Sequence, residues 1–303
     1  MILLTGATGF VGKYVFDLIS TKTRCVVRSN THSEFDDIYS VESINSTTDW
    51  EGAFQGINAI IHLAGVAHNK LSNEKDFFDV NYRGTERMAI EAARAGVKRF
   101  VFVSTIGVNG SSTTNIPFTE EQVEAPHNAY AKSKHNAEIA LKKISENTGM
   151  EVVIIRPPLI YGYEAPGNFE KLVKLIKKSF VLPFGLAQNK RSFISVSNLS
   201  KFLIHCVDHP KAAGEIFVIS DGDPVSIKNL TSAIACGLNK KVIQLPIPVT
   251  LIRGVSKLAG LSAQVNQLFD DLEVDSSKAR LLLDWEAPET MEQALAPSQV
   301  KEL

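Results

Sequence analysis

Ile2-Leu3-Leu4-Thr5-Gly6-Ala7-Thr8-Gly9-Phe10-Val11-Gly12 decides the fold. Four residues of apolar, strand-forming character run into three glycines spaced by three, and a helical pattern, Gly12–Ile19, begins on the last of them. Gly6 permits the tight turn, Gly9 lets the backbone approach a pyrophosphate, and Gly12 allows the helix to lie close on its strand. The helix start offers free N–H donors and positive potential to phosphate oxygens.

The rhythm of this unit continues through the first half of the chain. Apolar runs at Arg24–Val27, Ala59–Leu63, Arg99–Ser104 and Glu151–Arg156 read as strands. Helical patterns at Asp76–Ala95 and Tyr130–Asn147 lie between them, closed by Gly96 and Gly149. Runs as continuous as Ala59-Ile60-Ile61-His62-Leu63 suit parallel strands covered on both faces. The expectation is an α/β protein with a doubly wound parallel Rossmann sheet. After Arg156, prolines and glycines break the rhythm around one helical stretch, Phe169–Lys178, and a strand-like run at Glu215–Ser220 could rejoin the sheet. Domain boundaries follow: residues 1–162 form the nucleotide-binding part, with 192–222 returning to it. Residues 163–191 and 223–303 form a smaller, discontinuous α/β substrate lobe.

Composition narrows the class. Thirty-two basic and 33 acidic residues nearly cancel over 303 residues, with no basic stripe along the sequence, so nucleic acid is not an expected partner. Cys25, Cys206 and Cys236 are scattered and read as small apolar residues in a reducing compartment. No run reaches the roughly 20 apolar residues of a membrane span, and no secretory signal is visible, so a cytoplasmic location is expected. His62 and His68 lack the carboxylates or thiols that would complete a metal set, and His62 reads as a half-buried histidine with one hydrogen bond.

Chemistry concentrates in Tyr130-Ala131-Lys132-Ser133-Lys134. Tyr130 and Lys134 are four apart, so on a helix they share a face, and a cation there favours the ionised phenol. That pair suits acid–base work on a hydroxyl. At the end of the second strand, where an acid usually holds the ribose of NAD, stands Arg28. A guanidinium can take a 2′-phosphate, which tilts the reading to NADP over NAD.

Taken in order, these residues resemble the extended short-chain dehydrogenase/reductase family, in its nucleotide-sugar epimerase, dehydratase and reductase branch. The resemblance runs through Gly6-x-x-Gly9-x-x-Gly12, His62-Leu63-Ala64-Gly65, Asn81-Tyr82-Arg83-Gly84-Thr85, Ser104-Thr105 to Asn109-Gly110 and Tyr130-x-x-x-Lys134. It continues through Arg156-Pro157-Pro158, Arg191-Ser192-Phe193-Ile194 and Asp275-Ser276-Ser277-Lys278-Ala279. The resemblance implies Thr105 as the hydroxyl that holds the reacting sugar oxygen, Tyr130 as the acid–base, and Lys134 as its cation and ribose anchor. It implies cofactor contacts at Gly6, Thr8, Gly9, Phe10, Val11, Gly12, Arg28, Ser43, Ile44, Leu63, Ala64, Gly65, Asn81 and Pro157, besides Tyr130 and Lys134. Asn168 and Arg191 match positions that contact the substrate's diphosphate, and a homodimer through the two long helices is implied as well.

Two positions depart from the pattern. Ser43-Ile44 stands where some members carry Asp-Ile, and the stretch Gln264–Asp271 lacks the arginine that commonly clamps a diphosphate. The carrier end of the substrate is therefore held differently, or is not a simple nucleoside. Ile106-Gly107 follows Thr105 where dehydratases carry an acidic pair, and neither residue can transfer a proton. The expected activity is C4 epimerisation of a UDP-hexose or UDP-N-acetylhexosamine through a 4-keto intermediate. Alternatives are NADPH-dependent reduction of a 4-keto-6-deoxy sugar, which Arg28 fits, and a non-catalytic NADP-binding regulator.

Overall fold

A computed structural model describes residues 1–29, 35–67, 73–258, 260 and 262–297. The chain opens with β1 (Ile2–Thr5), α1 (Phe10–Ile19), β2 (Thr23–Arg28), β3 (Ile38–Val41) and β4 (Ala59–His62). A helical segment follows in three pieces: α2 (Glu74–Phe77), a π-helical stretch at Phe78–Gly84, and α3 (Thr85–Arg94). Then come β5 (Arg99–Val103), α4 (Ala129–Thr148) and β6 (Glu151–Arg156). The remainder holds β7 (Leu159–Tyr161), α5 (Asn168–Lys178), β8 (Val181–Leu182), β9 (Phe193–Ser195), α6 (Val196–Asp208) and β10 (Ile216–Val218). It ends with α7 (Ile227–Gly237), β11 (Ile243–Gln244), α8 (Val249–Leu258), α9 (Ser262–Phe269), α10 (Ser277–Leu283) and α11 (Met291–Ala294).

Seven parallel strands form the main sheet in the order β10-β6-β5-β4-β1-β2-β3. Alternate residues face opposite layers. Leu4, Ile61, Val101 and Val153 pack with Val15 of α1 and Phe202 of α6. Leu3, Ile60, Phe100 and Val152 pack with Met88 of α3 and Leu141 of α4. Both layers exclude water, which explains why these strands carry no polar alternation. The chain winds one way from β1 to β3 and the other way from β4 onward. The carboxyl ends of β1 and β4 therefore flank a topological switch point, the place where such sheets bind ligands.

The lobe has its own core of Tyr161, Phe169, Ile176, Phe184, Leu230, Ile234 and Phe269. Tyr161 and Phe193 come from the small parallel pair β7–β9, which carries the chain across from the main sheet. No described helix is long and apolar enough to cross a membrane.

Candidate active site

The first loop is built as tightly as its glycines suggest. Gly6 has φ +73°, and a Cβ there would lie 2.9 Å from the Ala64 nitrogen. A Cβ on Gly12 would fall 2.0 Å from the Gly6 carbonyl oxygen, so the first turn of α1 can lie this close to the loop only with glycine at its third position. Thr8 and Gly9 are exposed beside the N–H groups of the first turn of α1, and Phe10 and Val11 are half-buried. Leu63 and Ala64 come alongside because both of their N–H groups donate to Thr5 Oγ1, at 3.2 and 3.1 Å.

His62 organises this junction. It is fully buried, with Nδ1 2.8 Å from Thr5 Oγ1 and Nε2 2.9 Å from Thr85 Oγ1. Thr85 donates its own proton to the Asn81 carbonyl at 2.8 Å, so it accepts from His62 Nε2–H. Thr5 already accepts two N–H groups and donates to Nδ1, leaving a neutral imidazole protonated on Nε2. Burial, with the Lys134 charge as a lesser cause, pushes its pKa down to about 3. The half-buried, singly bonded histidine expected from sequence is thus a fully buried, doubly bonded strut with no nitrogen left for a metal. His68 lies outside the described residues.

Asn81 sits in the π-helical stretch, whose widened turn carries its amide to Val66 and Ser133. Its Oδ1 accepts from Val66 N at 2.7 Å, and its Nδ2 donates to Val66 O and Ser133 Oγ, both at 3.0 Å. This fastens the loop after β4, including the exposed Gly65, to the Tyr130–Lys134 helix.

Asn128 starts that helix by accepting from the Ala131 N–H at 2.8 Å, so Tyr130 falls in the first turn. Lys134, one turn on, is buried; its Nζ donates to the Val103 carbonyl at 2.8 Å and lies 4.5 Å from the centre of the Phe102 ring. Burial pulls the Lys134 pKa down to about 8, partly opposed by the Glu138 carboxylate. Tyr130 is half-buried, with Phe77 edge-on at 6.2 Å, and desolvation pushes its phenol up to about 12. This departs from the expectation that Lys134 lowers the phenol. The ammonium is turned to the end of β5 and is itself poorly solvated, so burial governs both groups.

Thr105 follows β5 by two residues, half-buried, and its Oγ1 accepts from Gly107 N at 3.1 Å. A Cβ on Gly107 would meet Thr105 Oγ1, Ala131 Cβ and His127 Cε1, each at 3.4 Å. The turn Ile106–Val108 therefore seats Thr105 against the first turn of α4, the turn that carries Tyr130. The buried Pro157 carbonyl accepts from Ile106 N at 2.9 Å and closes the same junction from β6. Ser104 Oγ is buried there with no hydrogen-bond partner among the described residues. Thr105, Tyr130, Lys134, Asn81, Gly65 and Pro157 are thus gathered at the carboxyl edge of the sheet.

Glu138 extends the Tyr130–Lys134 face by another turn and has no counterpart in the expected site. It binds the fully buried Arg156 guanidinium, with Oε2 2.6 Å from Nη2. Asn109 and Glu124 complete the set, each 3.1 Å from an Arg156 nitrogen. Helical arithmetic and a lone arginine ending an apolar strand were the available signals.

Other expected contacts lie apart. Arg28 is exposed at the end of β2. Ser43 is exposed and accepts from Asn45 Nδ2 at 2.7 Å, while the half-buried Ile44 packs on Gly84. Asn168 and Arg191 meet in the lobe at the end of α9: Asn168 Nδ2 donates to Gln267 Oε1 at 2.9 Å, and Arg191 Nη1 to the Asp270 carbonyl at 2.7 Å. A second cation reaches that point. Arg253, from α8, lies 2.8 Å from Asp270 Oδ1 and 3.4 Å from Asn266 Oδ1. Arg253 thus places a guanidinium beside the stretch Gln264–Asp271, which has none of its own.

A family model described as NAD dependent epimerase/dehydratase family matches residues 2–220. The chain belongs to that family. It is 38% identical over 302 residues to a UDP-glucose 4-epimerase of Vibrio cholerae, covering 96% of this chain and 92% of that one. It is 26% identical to the N-acetyl-alpha-D-glucosaminyl-diphospho-ditrans,octacis-undecaprenol 4-epimerase of Escherichia coli O157:H7, covering 97% and 92%. Among solved structures, a UDP-N-acetylglucosamine 4-epimerase from Bacillus cereus superposes with a TM-score of 0.78 at 19% identity, covering 98% and 96%. The epimerase/dehydratase assignment makes this chain an NAD-dependent enzyme. The glycine cradle that admits no Cβ and the N–H groups opening α1 fit the pyrophosphate of such a dinucleotide.

Proposed function

We propose that the enzyme interconverts the C4 epimers of a UDP-hexose or UDP-N-acetylhexosamine through a 4-keto intermediate. The observation that carries this reading is the gathering of Thr105, Tyr130 and Lys134 where β5 meets the first turns of α4, with no proton-transfer side chain at Ile106 or Gly107. A bound nicotinamide supplies the acceptor and donor of the hydride. Tyr130 takes the proton of the C4 hydroxyl and returns it, and Thr105 Oγ1 holds the same oxygen. Lys134 keeps Tyr130's helix fastened to β5 and presents its ammonium beside Gly65. Asn168, Arg191 and Arg253 hold the diphosphate from the lobe formed by 163–191 and 223–303.

The named 4-epimerases of V. cholerae and E. coli support this reading because they align over nearly the whole chain. The second of them is named for a lipid-linked diphosphate sugar, and the substrate proposed here keeps the nucleotide carrier of the first, to which the chain is more similar. A second reading, reduction of a 4-keto-6-deoxy sugar by NADPH, is favoured by Arg28 alone, exposed where a 2′-phosphate would lie. In both readings two copies pair through α3 and α4.

Tyr130→Phe is the decisive variant. Turnover should fall at least about 100-fold, the usual share of a positioned acid–base group, while the copurified dinucleotide is retained at wild-type stoichiometry. Unchanged turnover would remove Tyr130 from the chemistry. Mass spectrometry of that dinucleotide separates the readings: NAD fits the epimerase, and NADP(H) fits the reductase.

A further inference from the structure

The helix α8 is apolar on both of its sides. Val249 and Ile252 face the lobe core together with the buried Ser256. On the opposite side Leu251, Val255 and Leu258 are 60%, 67% and 92% exposed. Their spacing of four and three residues sets them in one stripe. A surface helix ordinarily gives its outer face to polar and charged residues, so three large aliphatic side chains in a row there need a covering partner. The segment leading into α8 adds exposed Ile243 and Leu245, and Val181 on the strand paired with β11 is exposed together with Phe180 just before it.

Charge points to what covers this stripe. Residues 163–191 and 223–258, which hold α5, β8, β11 and α8, carry eleven Lys and Arg against three Asp and Glu, while the rest of the lobe, 259–303, carries three against nine. Lys177, Lys178, Lys241 and Lys257 are exposed. Lys240 donates to the last carbonyls of α5 and lies 4.5 Å from the centre of the Phe180 ring. Exposed aliphatic groups bordered by these lysines match an anionic lipid interface, which takes the aliphatic groups below its headgroups and the ammonium groups among them. A second copy meeting this patch face to face would set its lysines against one another, and a nucleic acid would leave the aliphatic stripe in water. We propose that α8 and its flanking lysines dock this enzyme peripherally on an anionic phospholipid surface, with α8 lying in the interface. The proposal is independent of which sugar is turned over.

Flotation with vesicles tests it without reference to catalysis. The full chain should float with phosphatidylglycerol–phosphatidylcholine vesicles, remain behind with phosphatidylcholine alone, and lose binding as salt is raised. Leu251→Asp with Val255→Asp should weaken partitioning at least about tenfold while the unfolding midpoint and vesicle-free turnover stay at wild-type values. Lys177→Glu with Lys178→Glu, on α5, supplies a charge-based variant should the first fold poorly, and it should weaken binding as well. Failure to bind anionic vesicles, or binding that survives both variants, would overturn the proposal. So would an oligomer that the α8 variant splits, since the stripe would then belong to a second copy.

Discussion

At the scale of single residues, burial outranks charge pairing in setting protonation around Tyr130. Lys134 falls to about 8 and Tyr130 rises to about 12, each chiefly by desolvation. His62 gives the cleanest thermodynamic consequence. Its folded pKa of about 3 lies below the ordinary value of 6.5, so between those values the unfolded chain binds a proton that the folded chain refuses. Stability from this group is therefore complete above pH 6.5 and is lost as pH falls, at about 1.4 kcal/mol per unit and roughly 2 kcal/mol by pH 5. Urea titrations at pH 7 and pH 5 should show that loss in the wild type and a shallower one in His62→Gln. Equal slopes would contradict a neutral, proton-refusing His62. Glu138→Gln should cost roughly 3 kcal/mol, because it leaves the Arg156 guanidinium buried with weaker compensation. Calorimetry or urea unfolding reads that loss directly.

At the scale of elements, much of the site was legible because local chemistry fixed it. Three glycines admit one loop, and Asn128 to Gly149 delimit α4 by a side-chain cap and a left-handed C-cap at φ +75°. Other elements were hidden. The edge strand β3 is short and half exposed, so its residues carry no buried-strand pattern. Helix α6 starts at Val196 after its cap Ser195, and the polar Ser195, Ser197 and Asn198 give its first turn no apolar period to announce it. The span Asp76–Ala95 reads as one helix, and nothing in its apolar period announces the π-helical widening that carries Asn81 to Val66 and Ser133. Arg253, which we propose for the diphosphate, carries no motif of its own, and only the packing of α8 on α9 brings it to Asn266 and Asp270. Arg253→Gln should raise KM for the nucleotide sugar by about tenfold and change kcat little, as expected for a charge-assisted contact made equally before and during reaction. Steady-state kinetics with a fixed-concentration sugar series would show it, and an unchanged KM would remove Arg253 from the substrate.

At the scale of the whole molecule, the two apolar layers of the main sheet and a separate cluster in the lobe hold the chain together. The seven-stranded sheet fixes the dinucleotide cradle and the Thr105–Tyr130–Lys134 junction, while the lobe brings Asn168, Arg191 and Arg253 to the end of α9. The division predicts that substrate identity resides in the lobe and hydride chemistry in the sheet. The central claim is that the hydrogen taken from C4 comes back to the same sugar. Incubation of the purified enzyme in D₂O, with UDP-glucose or UDP-N-acetylglucosamine and no added cofactor, tests it most directly by NMR. The account predicts that the C4 epimer accumulates to equilibrium with protium retained at C4. Inertness until a 4-keto sugar and NADPH are supplied, or deuterium at C4 of the product, would contradict it.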